Sequence, residues 1–175
     1  MSILRNKKFT IIVIAIMAFI FFQSALPADL SSEESGRVVD LIVRLFQGVA
    51  PIDRETLVFI VRKGAHFTEY MILGGFLVPA VKEWMAVETT PVSKEKERKA
   101  ANQAKMPAPA WRNCFISWLA GTLYAVTDEI HQSFVPGRSC ELRDMGIDSC
   151  GVLAGVLVVS FLMRSKERRP STVTK

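Results

Sequence analysis

Residues Ala125–Gly151 read AVTDEIHQSFVPGRSCELRDMGIDSCG, and their placement decides the fold. The stretch closes one strongly apolar run and sets Asp128, Glu129, His131 and Gln132 within five positions. It turns at Pro136-Gly137 and carries Arg138, Glu141, Arg143, Asp144 and Asp148 into a second apolar run. Charges at the mouths of membrane-length segments are expensive to keep, so the stretch reads first as a site and second as a loop.

Working outward, the apolar half of the 175 residues falls into four blocks: Phe9–Leu26, Leu57–Val81, Cys114–Val135 and Gly146–Met163. Charged segments separate them, the layout of a polytopic membrane protein rather than of a soluble core. The net charge of +5 does not point to nucleic acid, because 15 of the 22 Lys and Arg lie in segments 1–8, 82–113 and 164–175. Segment 27–56 instead has six acids against three arginines. Basic segments mark the cytoplasmic side. The expectation is an all-α, four-transmembrane-helix bundle in a plasma membrane, both termini cytoplasmic, with 27–56 and 136–145 outside.

The first block follows Arg5, Lys7 and Lys8 as a signal peptide would, but QSALPADL offers no evident cleavage site and three blocks follow, which favours an uncleaved first helix. In RVVDLIVRLFQGV (37–49), Val38, Leu41, Ile42, Leu45 and Val49 recur at helical spacing, which predicts an amphipathic surface helix, either a cap on the bundle or a lid over a site. Asp53 is the expected N-cap of the second span. Residues 83–113 read as a charged cytoplasmic linker and 164–175 as a basic cytoplasmic tail, with 9–163 as the membrane domain. The three cysteines make no framework; a Cys140–Cys150 bridge is conceivable outside, but free thiols are favoured.

Within the second block, Arg62, His66 and Glu69 share one helical face, with Lys63 and Tyr70 on the neighbouring strip. In the third, Gly121, Ala125, Asp128 and Gln132 form a stripe; in the fourth, Asp144, Asp148, Gly151 and Gly155 do. Residues 114–127, 149–163 and 67–81 lie below Asp128, Asp148 and His66. At about 1.5 Å per residue, each group lies roughly 21–23 Å from the cytoplasmic end. Three helices therefore bring polar groups to one level of a core about 30 Å thick, toward its outer side.

Such a constellation reads either as an outward-facing pocket or as a self-satisfied ion-pair network. Arginines with Lys63 and His66 suit a phosphate or pyrophosphate. The acids and histidines could ligate a divalent cation, but no established ligand spacing is present, so neither a metal nor another cofactor is expected. No nucleophile has an argued base; His131 and Asp128, one turn apart, could form an acid–base pair or a simple helix-face hydrogen bond.

The stretches KGAHFTEYMILG (63–74) and TDEIHQSFVPGRSCELRDMGIDSCGVLAG (127–155) strongly resemble the two conserved motifs of the VanZ-like family, small bacterial membrane proteins named for an accessory protein of glycopeptide resistance. QSALPADLSSEES resembles that family's first outer segment, and the similarity covers residues 9–82 and 114–163. By position, the family's motif residues fall on Lys63, His66, Glu69, Tyr70, Gly74, Asp128, Glu129, Gln132, Pro136, Arg138, Asp144, Gly151 and Gly155; Asp148 stands where many members carry Asn. The resemblance implies a cell-envelope setting and an association with teicoplanin resistance, without a settled reaction. The expected site comprises Lys63, His66, Glu69, Tyr70, Asp128, Glu129, His131, Gln132, Arg138, Asp144 and Asp148. Its expected partners are membrane lipid and either a lipid-linked cell-wall precursor or a glycopeptide antibiotic. An enzyme acting on a lipid-linked phosphate and a purely structural membrane protein are the alternatives.

Overall fold

A computed structural model of the chain describes residues 7–45, 53–87 and 110–167. Among them it has five helices and no strands: α1 Lys8–Ser24, α2 Ala28–Leu45, α3 Arg54–Val87, α4 Ala110–Gln132 and α5 Leu142–Glu167. The four apolar blocks thus become α1, α3, α4 and α5, and the amphipathic segment as far as Leu45 falls in α2, while Val49 lies outside the described residues. One of these helices, over Leu142–Lys166, is by length and composition apolar enough to cross a membrane; α1 and α2, bent by 105°, pass the same test only when joined.

The helix ends show what terminates each element. Asp53 caps α3: its carboxylate accepts the Thr56 backbone N–H at 2.8 Å and the Thr56 hydroxyl at 2.6 Å. These bonds, the hydroxyl one first, hold the Asp53 carboxyl below its ordinary value of 3.8. A depressed carboxylate contributes stability above its unfolded pKa and loses it as pH falls through the folded value, so the cap fails only in acid. Asp53→Ala is expected to lower Tm by a few degrees at neutral pH, the usual cost of a lost N-cap; thermal unfolding in detergent checks it. At the opposite end of the bundle, Glu83 of α3 accepts from the Phe9 and Thr10 N–H groups at 3.1 and 3.4 Å. That carboxylate satisfies orphan donors and the positive dipole end of α1.

Helix α2 starts nine residues before the RVVDLIVRLFQGV stretch, because SSEESG is itself helical. Pro27 ends the α1 direction, and Gly36, buried in α2, lets the Arg54 guanidinium close against it while that guanidinium pairs with Asp40 at 3.2 Å. Helix α5 starts at Leu142 rather than at the apolar boundary, which puts Asp144 in its first turn, where the helix dipole favours an acid. Helix α4 stops at Gln132, and Ser133–Gly137 form the turn. Most of the expected 83–113 linker and of the 164–175 tail lies outside the described residues; their inner ends continue α3, α4 and α5. Cys114, Cys140 and Cys150 are free thiols.

Helix α3 is the hub, packing on all four others, and its most extensive partner is α5. The shared core is Val13 and Ile20 from α1, Tyr70, Leu73, Leu77 and Val78 from α3, Ala125 from α4, and Val152 and Val156 from α5. Glycines set the α3–α5 distance. A Cβ on Gly74 would lie 2.2 Å from the Val152 carbonyl oxygen, and one on Gly155 would lie 1.9 Å from that of Met71. Backbone meets backbone there, the close approach that small residues permit.

Two chain reversals are fastened to each other near Pro136. The Ala28 N–H donates to the Pro136 carbonyl at 3.2 Å, and Arg138 Nε donates to the Leu26 carbonyl at 2.9 Å. Gly137 takes φ of +74° there, a left-handed conformation suited to glycine. The PGR turn is thus a clasp that joins the α4–α5 connection to the α1–α2 bend.

Candidate functional site

The polar residues divide into two groups. The first is a closed knot around Asp128, which is 2 % exposed. Its Oδ2 accepts from Ser24 Oγ at 2.7 Å, Tyr70 Oη at 3.1 Å and Gln132 Nε2 at 3.3 Å. Gln132 also donates to Ser24 Oγ at 3.3 Å. Three helices, α1, α3 and α4, therefore converge on one carboxylate oxygen. The i, i+4 spacing of Asp128 and Gln132 puts both on the inward face, which local periodicity predicts. Ser24 is the partner that periodicity misses: its only sequence signal is a hydroxyl at the end of a charge-free block, and Asp128 is 104 residues away.

The second group lines a cavity of about 120 Å³ between α3, α4, α5 and the PGR turn. Arg62, Lys63 and His66 face it from α3, Glu129 and Gln132 from α4, Gly137, Arg138, Ser139 and Glu141 from the connection, and Asp144, Ile147 and Asp148 from α5. Some of these charges satisfy one another. Lys63 forms an ion pair with Asp144, both side chains being largely buried. Glu129 accepts the Glu141 N–H at 3.0 Å, which ties the connection to α4. Others have no such partner. Among the described residues Arg62 has no ion pair or hydrogen bond. Arg138 bonds only neutral acceptors, the Leu26 carbonyl and, at 3.2 Å, Gln132 Oε1, so its Nη2 is left free among those residues. Burial first and the neighbouring Arg62 guanidinium second disfavour the charged form of Arg138. His66 Nδ1 and Asp148 Oδ2 are buried polar atoms with no hydrogen-bond partner among the described residues.

The remaining expected residues lie off the cavity. Tyr70 and Asp128 belong to the knot, while Gln132 belongs to both groups. Glu69 sits below, with Asp128 and Arg138 as its charged neighbours. His131 turns toward α1, where its ring stacks on Phe21 with centroids 4.3 Å apart. His131 and Asp128 share no hydrogen bond, so the acid–base pair conceivable from their spacing does not form here. No residue of α2 lines the cavity among the described residues, and no three His, Cys, Asp or Glu side chains among them are arranged to hold a metal ion. Arg62, Gly137, Ser139, Glu141 and Ile147 line the cavity without having been carried over from the family resemblance; for Arg62, its place on the His66 stripe was the available signal.

Comparison with known proteins bears on the same residues. Neither the curated proteins nor the solved structures returned a match. A family model described as VanZ/LLP1 matches residues 9–163, which takes in all five helices up to the last turns of α5, the knot and the cavity. The chain belongs to the VanZ/LLP1 family.

Proposed function

We propose that the chain is a multi-pass membrane protein of the cell envelope whose cavity, open to the exterior, binds the phosphate-bearing headgroup of a membrane lipid. The four spans are α1, α3, α4 and α5, with both termini cytoplasmic. A belt of exposed apolar side chains supports this reading: Ile14, Phe19 and Phe22 on α1, Ile60 and Ile72 on α3, Leu119, Leu123 and Ile130 on α4, and Leu157 and Phe161 on α5. Soluble monomers rarely expose large apolar patches, and here large apolar side chains are exposed on each of these four helices. At the end carrying Lys7, Lys8, Arg164 and Lys166, Trp84 and Trp111 are exposed, as interfacial anchors would be.

The observation that carries the binding assignment is the pair of guanidinium groups facing one small cavity, with Arg62 unpaired and Arg138 held only by neutral acceptors among the described residues. A phosphate there would relieve their mutual repulsion and accept their free N–H donors. Lys63, paired with Asp144, orients the cavity wall rather than meeting the anion. Of the two ligand classes expected from sequence, the size of the cavity favours the lipid headgroup. A cavity of about 120 Å³ is on the scale of a phosphate group with a short substituent rather than of a whole glycopeptide. A contribution to teicoplanin resistance would then run through the lipid headgroup, whether of a lipid-linked cell-wall precursor or of a phospholipid.

The test uses the full chain in phosphatidylcholine nanodiscs, titrated with dihexanoyl phosphatidic acid and with a short polyprenyl phosphate. Charge-assisted hydrogen bonds contribute about 1.5–3 kcal/mol each. Arg62→Gln is therefore expected to weaken binding at least about tenfold, with unchanged thermal stability because Arg62 has no protein partner among the described residues. Equal affinity of the variant and the parent protein for both ligands would remove the assignment.

A further inference from the structure

The two arginines account for only half of the cavity. Its floor is acidic. Asp148 is 1 % exposed, lines the cavity, and leaves Oδ2 without a hydrogen-bond partner among the described residues. Glu129, 2 % exposed, faces the same space from α4 and gives one oxygen to the Glu141 N–H. The charged groups that act most strongly on Asp148 are Glu129, Asp128, Asp144 and Lys63, and Lys63 already pairs with Asp144. Two guanidinium groups, Arg62 and Arg138, and two acids, Asp148 and Glu129, thus share one small volume, with Glu129 within electrostatic reach of Arg138. Bare phosphate would satisfy the first pair and leave a buried carboxyl facing it, an arrangement that low-dielectric surroundings penalise.

A ligand with an ammonium a few bonds from its phosphate would satisfy both ends. We propose that the cavity recognises an aminophosphate headgroup of the phosphoethanolamine type, with the phosphate on Arg62 and Arg138 and the primary ammonium on Asp148 and Glu129. This rests on the phosphate-headgroup reading above and narrows it. The amine is primary rather than quaternary for a structural reason. Trimethylammonium groups are recognised by cages of Trp, Tyr and Phe rings, whereas among the described residues no Trp, Tyr or Phe lines this cavity, whose one ring is the His66 imidazole. The bare Asp148 oxygen is instead an acceptor that calls for an N–H donor.

The experiment keeps the full chain in phosphatidylcholine nanodiscs and compares five probes: dihexanoyl phosphatidylethanolamine, its N-methyl and N,N-dimethyl derivatives, dihexanoyl phosphatidylglycerol, and free phosphoethanolamine. Loss of a charge-assisted hydrogen bond corresponds to about a ten- to hundredfold change. Phosphatidylethanolamine is therefore expected to bind at least about tenfold more tightly than phosphatidylglycerol, with affinity falling at each N-methylation. Asp148→Asn is expected to bring the ethanolamine-to-glycerol preference close to one, while Arg62→Gln weakens both. Free phosphoethanolamine binding as tightly as the lipid would support the headgroup chemistry with a soluble source; weaker binding would support a lipid source. The methylation series needs no variant, so it decides the matter even if Asp148→Asn proves unstable. Equal affinity for phosphatidylethanolamine and phosphatidylglycerol would overturn the aminophosphate assignment alone. Binding of no phosphate-bearing probe would overturn it together with the reading on which it rests.

Discussion

Gly155→Ala is expected to prevent α3 and α5 from closing, with a loss of more than about 3 kcal/mol, above the usual range for overpacking. The reason is which atoms the new methyl would meet. A Cβ at Gly155 would sit 1.9 Å from the Met71 carbonyl oxygen and 2.8 Å from the Gly75 nitrogen. Both are backbone atoms of α3, so no side chain can rotate away and the helices must separate. Separation would also loosen the reciprocal contact of Gly74 against Val152 and that of Gly151, whose Cβ would lie 2.5 Å from the Phe67 carbonyl. Dispersion falls steeply with such a gap, and the most extensive helix pair of the molecule would lose it along its length. Gly64→Ala and Gly146→Ala are the internal controls. Both lie in the same two helices, but an added Cβ would meet nothing within 4 Å. There the better helix propensity of alanine should leave stability unchanged or raise it by about 0.5–1 kcal/mol. Thermal unfolding of the three variants in one detergent would give the ranking, and a Gly155→Ala protein as stable as Gly64→Ala would sink the close crossing.

These contacts also mark where the sequence was readable and where it was not. Apolar block boundaries located α1, α3, α4 and α5, because each block must bury or expose a whole helix. Helical spacing correctly turned Asp128 and Gln132 inward, since it depends on one helix alone. It could not say what they would meet. Depth counting brought Asp128, Asp148 and His66 to one level, yet depth says nothing of direction. In the structure Asp148 and His66 face the cavity, whereas Asp128 faces Ser24 across the bundle. His131 shows the same limit: one position short of Gln132, it is rotated far enough to stack on Phe21 instead. The start of α2 was illegible for another reason. SSEESG has no apolar periodicity, and its helix is held by the packing of Gly36 beneath Arg54, a contact with the next helix. By composition α3 and α4 do not pass as membrane spans, because the charges of the cavity and the knot lie within those helices.

The division into knot and cavity predicts opposite behaviour for two buried aspartates. Asp128→Ala would remove the acceptor for Ser24, Tyr70 and Gln132 together and leave three buried donors facing one another. Hydrogen bonds between membrane helices average about 0.6 kcal/mol and reach about 1.7, because the separated helices also find partners. Three bonds on one oxygen therefore set the expected loss at about 2–5 kcal/mol, in the range found when one partner of a buried charged group is deleted. Asp128→Asn should cost less: its carbonyl oxygen can take the place of Oδ2, and its amide group replaces Oδ1, which has no partner among the described residues. Ser24→Ala removes a single donor and should fall within the range for one bond. In the Ser24→Ala, Asp128→Ala double variant the losses should not add, since the bond counted in each is the same one. Headgroup affinity is the second readout. Asp128 does not line the cavity, so Asp128→Asn should bind the phosphate probes like the parent protein, whereas Asp148→Asn should lose the preference for the amine. A destabilised Asp128→Ala with additive double-variant losses would break the knot as described. An Asp128→Asn protein that is stable but no longer binds would move Asp128 from the scaffold into the site.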